Sequence, residues 1–130
     1  MAGRSQQVQI RHILVDNEEL ATLLKETVEA SPSETGRVQL LMKLAGKYSQ
    51  CESKEDGGNL GWIEIGWAAE DPRNPRGGYK PLNNAELNKF IHEGIKDLSI
   101  LKGKVYGPVK TSEGYHVFMI ANEFKTDRIL

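Results

Sequence analysis

Cysteine is almost missing from this chain. Cys51 is the only one in 130 residues. No intrachain disulfide is possible, so the fold rests on packing alone. Long apolar runs are missing too. Stretches such as residues 117–121 fall far short of the ~20 residues that a membrane-spanning helix needs. Residues 1–7 are small and polar, without the apolar stretch of a secretory signal. The expectation is a cytoplasmic protein with no membrane partner. An excess of either charge is also missing: 17 Lys and Arg face 18 Asp and Glu, for a net charge of -1. Phosphate backbones usually select a basic excess, so nucleic acid is not the expected partner. Neither C-x-x-C nor H-x-x-x-H occurs, and no metal or other cofactor is expected.

What is present suits one domain. Hydrophobic residues make up 38% of the chain, enough for one core. Val8 and Ile10, then Ile13-Leu14-Val15, predict a first strand whose alternation ends in an apolar run. Asp16 and Glu19 have capping-box spacing, and Leu20, Leu23, Leu24 and Val28 continue a helical stripe. That predicts a helix over about 17–30, stopped by Ser31-Pro32-Ser33. Val38, Leu41, Met42 and Ala45 predict a second helix ending near Tyr48. Residues 49–58 read as a loop, and 60–65 as a short irregular strand or turn. The segment 68–84 reads as an inserted loop, longer than the ~4–6 residues usual for a connection. Asn83 and Glu86 repeat the capping-box spacing ahead of Leu87, Phe90, Ile91 and Ile95. Pro108 argues against a continuous central strand near Val105 and Val109. Residues 115–124 carry the strongest strand pattern and should form a hairpin with that segment. The order predicts an α+β domain with a small, mostly antiparallel sheet.

His12, Cys51 and His116 stand on or beside predicted strands. As zinc ligands they would be sparse and widely spaced, without a carboxylate. As a Cys-His nucleophile pair they lack any accompanying oxyanion feature. Each histidine also fits a plain role in or beside the core, and Cys51 fits either a small buried residue or a site residue.

The neighbouring residues carry more. Arg11-His12-Ile13-Leu14-Val15 resembles the first strand of the parvulin family of peptidyl-prolyl cis-trans isomerases. Ser49-Gln50-Cys51-Glu52-Ser53, followed by Gly57-Gly58-Asn59-Leu60-Gly61, resembles that family's central loop. Gly107-Pro108-Val109-Lys110-Thr111, then Gly114-Tyr115-His116, resembles its closing hairpin. The motifs stand in the family's order. Two positions depart from it: Ile63 replaces a usual aromatic, and Glu113 precedes Gly-Tyr-His where Phe or Ser is common.

The resemblance implies one parvulin-like domain over residues 1–130, with a four-stranded, mostly antiparallel sheet surrounded by about four helices. It implies isomerase activity on X-Pro bonds. His12, Cys51, Thr111 and His116 would form the catalytic floor. Leu60 would edge a proline pocket, with Leu87 and Phe90 as its walls by helical spacing. Proline-containing peptides or unfolded protein segments would be the partners of a monomer assisting folding. The alternative is a chaperone-like domain that binds such segments without accelerating rotation. Asp16-Asn17-Glu18-Glu19 stands where phosphate-directed members carry Lys and Arg, which implies unphosphorylated substrates.

Overall fold

A computed structural model describes residues 2–66 and 82–129, and it describes side chains within 6–64 and 82–124. Strand β1 spans Ala2–Val15. Helices α1 (Glu18–Glu29) and α2 (Glu34–Tyr48) follow. A single 3-10 turn covers Glu52–Asp56 and leads into β2, Asn59–Gly66. Helix α3 spans Ala85–Lys96, and β3 (Val105–Thr111) and β4 (Gly114–Ile129) close the domain. Among the described residues there are thus three α-helices and one 3-10 turn, fewer than the four helices expected. The 68–84 insertion, apart from its last three residues, lies outside the described residues, as do Trp67 and Tyr79.

The sheet order is β2-β1-β4-β3, all antiparallel. Strand alternation explains how its two faces are filled. On one face Val8 and Ile10 of β1 and Phe118 and Ile120 of β4 pack against Leu87, Ile91 and Ile95 of α3. On the other, Ile13, Val15, Val117 and Met119 pack against Ala21, Leu24 and Val28 of α1 and Leu41 and Ala45 of α2. A central strand covered on both faces reads as a continuous apolar run, which is why 13–15 and 117–121 lose their alternation.

Two expected helix caps fall one residue late. Asn17, not Asp16, caps α1 by accepting from the Leu20 amide at 3.0 Å. Asn84, not Asn83, caps α3 by accepting from the Leu87 amide at 3.0 Å. Adjacent Asx residues give the same sequence signal, and only backbone geometry chooses between them. Pro108 lies inside β3, but β3 is an edge strand with a register shift between Tyr106 and Val109. An edge with a bulge has no ladder bond for proline to break. Residues 60–65 belong to strand β2, held against β1 with Val8 opposite Ile63, and its register shifts at Leu60, between Asn59 opposite Arg11 and Gly61 opposite Ile10.

Candidate functional site

The two histidines arrive on one face by strand phase. His12 shares the face of Val8 and Ile10, and His116 shares that of Phe118 and Ile120. In the β1–β4 register His12 stands opposite Phe118 and Leu14 opposite His116, so the imidazoles are diagonal neighbours. Their rings stack with centroids 5.2 Å apart and planes inclined by 20°. Nδ1 of one lies 3.0 Å from Nδ1 of the other. Both are buried. His116 Nε2 lies 2.7 Å from Thr111 Oγ1 across the hairpin. That hairpin is tight because Gly107 (φ +132) passes over β4, where a Cβ would lie 2.5 Å from the His116 carbonyl oxygen.

The Cys51 loop is sewn to the end of β1. The buried Ser49 hydroxyl accepts from the Leu14 amide at 3.0 Å and the Cys51 amide at 3.3 Å. The Gln50 amide donates to the Leu14 carbonyl at 2.7 Å. At the far end of the loop the His12 amide donates to the Gly58 carbonyl at 2.9 Å. Gly58 adopts φ +80, and a Cβ there would lie 2.3 Å from the His12 carbonyl oxygen. Only glycine admits that approach, which is the physical content of the Gly57-Gly58 pair.

These elements enclose a cleft of about 560 Å³. His12 and Leu14 come from β1, Cys51 and Glu52 from the loop, and Leu60 and Trp62 from β2. Leu82, Asn83, Asn84 and Leu87 line it at the start of α3, and Glu113 lines it from the hairpin. One part is apolar, formed by leucines and an indole. Another is polar, with a half-buried thiol and the His12 ring. Among the described lining residues the only charged side chains are Glu52 and Glu113.

The structure brings His12, Cys51, Leu60 and Leu87 together around the cleft, with His116 and Thr111 behind His12. Phe90 is placed elsewhere. Its side chain is 45% exposed and meets Phe118 edge to face, with centroids 6.1 Å apart. It is not among the residues lining the cleft. Ile91, the other residue about one turn beyond Leu87, takes the buried position on α3. Sequence reasoning missed Leu82 and Asn84. Leu82 precedes the helix and so belongs to no helical stripe. Asn84 carries the same cap signal as its neighbour.

Burial sets the electrostatics. Loss of hydration, and secondarily the adjacent His116, push His12 down to about 3. His116 is lowered by burial as well, opposed by the charges of Glu113 and Glu86. Both rings are therefore neutral near pH 7, and neither carries a proton ready for transfer. Among the described residues no three His, Cys, Asp or Glu side chains cluster so as to hold a metal ion.

A sheet in this strand order, whose two central strands each give one ring of a stacked histidine pair, has the parvulin arrangement. A family model for the rotamases, the PpiC-type PPIase domain, matches residues 12–122, and the chain belongs to that family. It is 28% identical to rhodanese-like/PpiC domain-containing protein 12, chloroplastic, of Arabidopsis thaliana, over 86% of this chain and 40% of that protein. Its fold resembles a structure of the SurA-like chaperones PEB4 and Cj1289 of Campylobacter jejuni, with TM-score 0.64 and 24% identity, covering 96% of this chain and 41% of that one. It also resembles Pin of the psychrophilic archaeon Cenarchaeum symbiosum, with TM-score 0.51 and 25% identity, covering 88% and 90%. The chain spans about two fifths of the plant protein and of the Campylobacter chain.

Proposed function

We propose that the domain accelerates cis-trans rotation about X-Pro bonds in unphosphorylated peptides or unfolded protein segments. The observation that carries this reading is the cleft itself, which joins an apolar pocket to a rigid polar floor. Leu60, Leu82 and Leu87 form a surface suited to a pyrrolidine ring. Cys51 and His12 line the same cleft, and in this reading they would face the swinging carbonyl.

Rotation needs no nucleophile and no proton transfer. The barrier of ~20 kcal/mol comes from amide resonance, which is lost at the twisted geometry. A site complementary to the twisted amide lowers it, and ~4 kcal/mol corresponds to about a thousandfold. Neutral, hydrogen-bonded histidines fit such a passive role, because they fix the shape and polarity of the floor. Cys51→Ala should accordingly retain most activity, and complete inactivation of a folded Cys51→Ala protein would overturn the passive role.

The acidic cleft supports the choice of unphosphorylated substrates. A phosphate beside the proline would meet Glu52 and Glu113, with Glu18 and Glu19 in the first turn of α1 beyond the end of β1. NMR exchange on X-Pro peptides tests both points. Catalysis broadens or cross-relaxes the cis and trans signals at substoichiometric protein. A phosphorylated residue before proline should bring no gain in rate. A faster phosphopeptide would overturn the specificity reading. Peptide binding without exchange would favour the alternative, a holding domain, for which the 39% exposed Trp62 beside the cleft would extend the contact surface.

A further inference from the structure

The Nδ1–Nδ1 contact between His12 and His116 poses a question of direction. Two neutral imidazoles can share it only if one Nδ1 carries a hydrogen and the other does not. We infer that Asn84 decides which, and that it is a positioning residue for the cleft floor.

The orientation of the Asn84 amide is set first. Its Oδ1 accepts from the Leu87 amide at 3.0 Å, as the cap of α3. Its Nδ2 must therefore face the hairpin. There it donates to Thr111 Oγ1 at 2.9 Å and to Glu113 Oε1 at 2.5 Å. Thr111 Oγ1 also accepts from the Glu113 amide at 3.2 Å. Both acceptor positions of the hydroxyl are then filled, and its single hydrogen is left for His116 Nε2, 2.7 Å away. His116 Nε2 is thus an acceptor, and the ring hydrogen of His116 sits on Nδ1. It donates to Nδ1 of His12, so the hydrogen of His12 sits on Nε2. That nitrogen is buried without a hydrogen-bond partner among the described residues. The chain runs one way, from Asn84 through Thr111 and His116 to His12. Its positive end lies at the ring that lines the cleft.

One atom reverses it. Asn84→Asp keeps the Oδ1 cap, and aspartate is as good a cap as asparagine. But a carboxylate accepts where Nδ2 donated. The Thr111 hydroxyl then turns to the carboxylate, His116 Nε2 becomes the donor to Thr111, and both imidazoles switch tautomer. His12 Nε2 becomes a bare lone pair.

The test is long-range 1H–15N correlation on histidine-labelled protein at neutral to mildly alkaline pH. In the wild type, His116 should be protonated on Nδ1 and His12 on Nε2. Both assignments should invert in Asn84→Asp. The double variant Asn84→Asp/Glu113→Gln, which removes the carboxylate facing the new aspartate, should invert likewise. Glu113→Gln alone should keep the wild-type order. So should Thr111→Val, because Asn84 Nδ2 already lies 3.4 Å from His116 Nε2 and can donate to it directly. Opposite tautomers in the wild type would overturn the proposal. So would unchanged tautomers, or a doubly protonated His116, in the double variant.

The catalytic consequence rests on the isomerase reading: kcat of the double variant should fall about tenfold, with KM little changed. Inversion with unchanged kcat would break the link to catalysis and leave the isomerase reading intact. A wild type without isomerase activity would sink that reading and leave the tautomer result standing.

Discussion

The two faces of the sheet are built from the same two central strands and are used differently. The face under α1 and α2 is closed by apolar side chains from both helices, and every strand residue in its cluster is aliphatic or Met. The face under α3 has one helix to cover it. Its Val8, Ile10, Phe118 and Ile120 end is sealed, and its other end opens to the cleft at His12 and Leu14, with His116 buried behind them. Strand phase alone does this. A residue two places further along β1, or two places earlier on the antiparallel β4, stays on the same face but passes out from under the apolar side of α3. The polar floor is what the sheet exposes where its covering helix runs out, with hydrogen bonds replacing the missing apolar contacts.

If the faces are divided in this way, truncations on them should separate stability from activity. The largest effect is expected at the sealed end of the α3 face. Phe118→Ala removes a fully buried ring that packs on Tyr106 and Phe90 and should cost about 3–5 kcal/mol in urea unfolding. On the opposite face Leu41→Ala should cost about 2–4 kcal/mol and leave turnover per folded molecule unchanged. A large activity loss there would dissolve the distinction. Leu87→Ala, at the boundary of core and cleft, should lose comparable stability and activity as well.

The next effect is one of pH. His12 titrates near 6.5 when unfolded and about 3 when folded, and His116 is lowered too. Between these limits the unfolded chain binds more protons than the native one. Stability therefore rises with pH through the window and falls as pH drops below about 6.5. The slope is about 1.4 kcal/mol per pH unit for each histidine held neutral. Unfolding free energies between pH 7 and 5, above most carboxylate titrations, should show it, and His12→Asn should flatten it. An unchanged slope in that variant would place the acid sensitivity elsewhere. The smallest effect is expected at Phe90. Its exposed position predicts a loss within about 1 kcal/mol for Phe90→Ala, with little change in turnover.

Much of this was written in the residue pattern. The apolar runs of β1 and β4, the helical stripes of α1 and α2, and the glycine pair closing the Cys51 loop each follow from a local rule. The meeting of His12 and His116 does not: it is implied by the parvulin resemblance, because two strands that are apolar on both faces leave the shared face open. The far wall of the cleft follows no such rule. Helical spacing from Leu87 offers both Phe90 and Ile91, but Ile91 is buried in the core under the sheet, Phe90 is 45% exposed, and neither lines the cleft. Leu82 lies outside the helix and is placed by tertiary packing. Asn84 and Asn83 are chemically identical, and the cap geometry separates them. Local signals specify elements well and mutual orientation poorly, and half of this cleft depends on orientation.

The His12–His116 pair joins positions 104 residues apart, one on the first strand and one on the last. Such a contact is late to form, because the whole intervening chain must be gathered before β4 can lie against β1. During synthesis the first histidine leaves the ribosome long before the second. A nascent domain can therefore carry its helices, its Cys51 loop and half of its floor while the stacked rings do not yet exist. The paired imidazoles are in effect a completion mark, acquired with the last strand to be made.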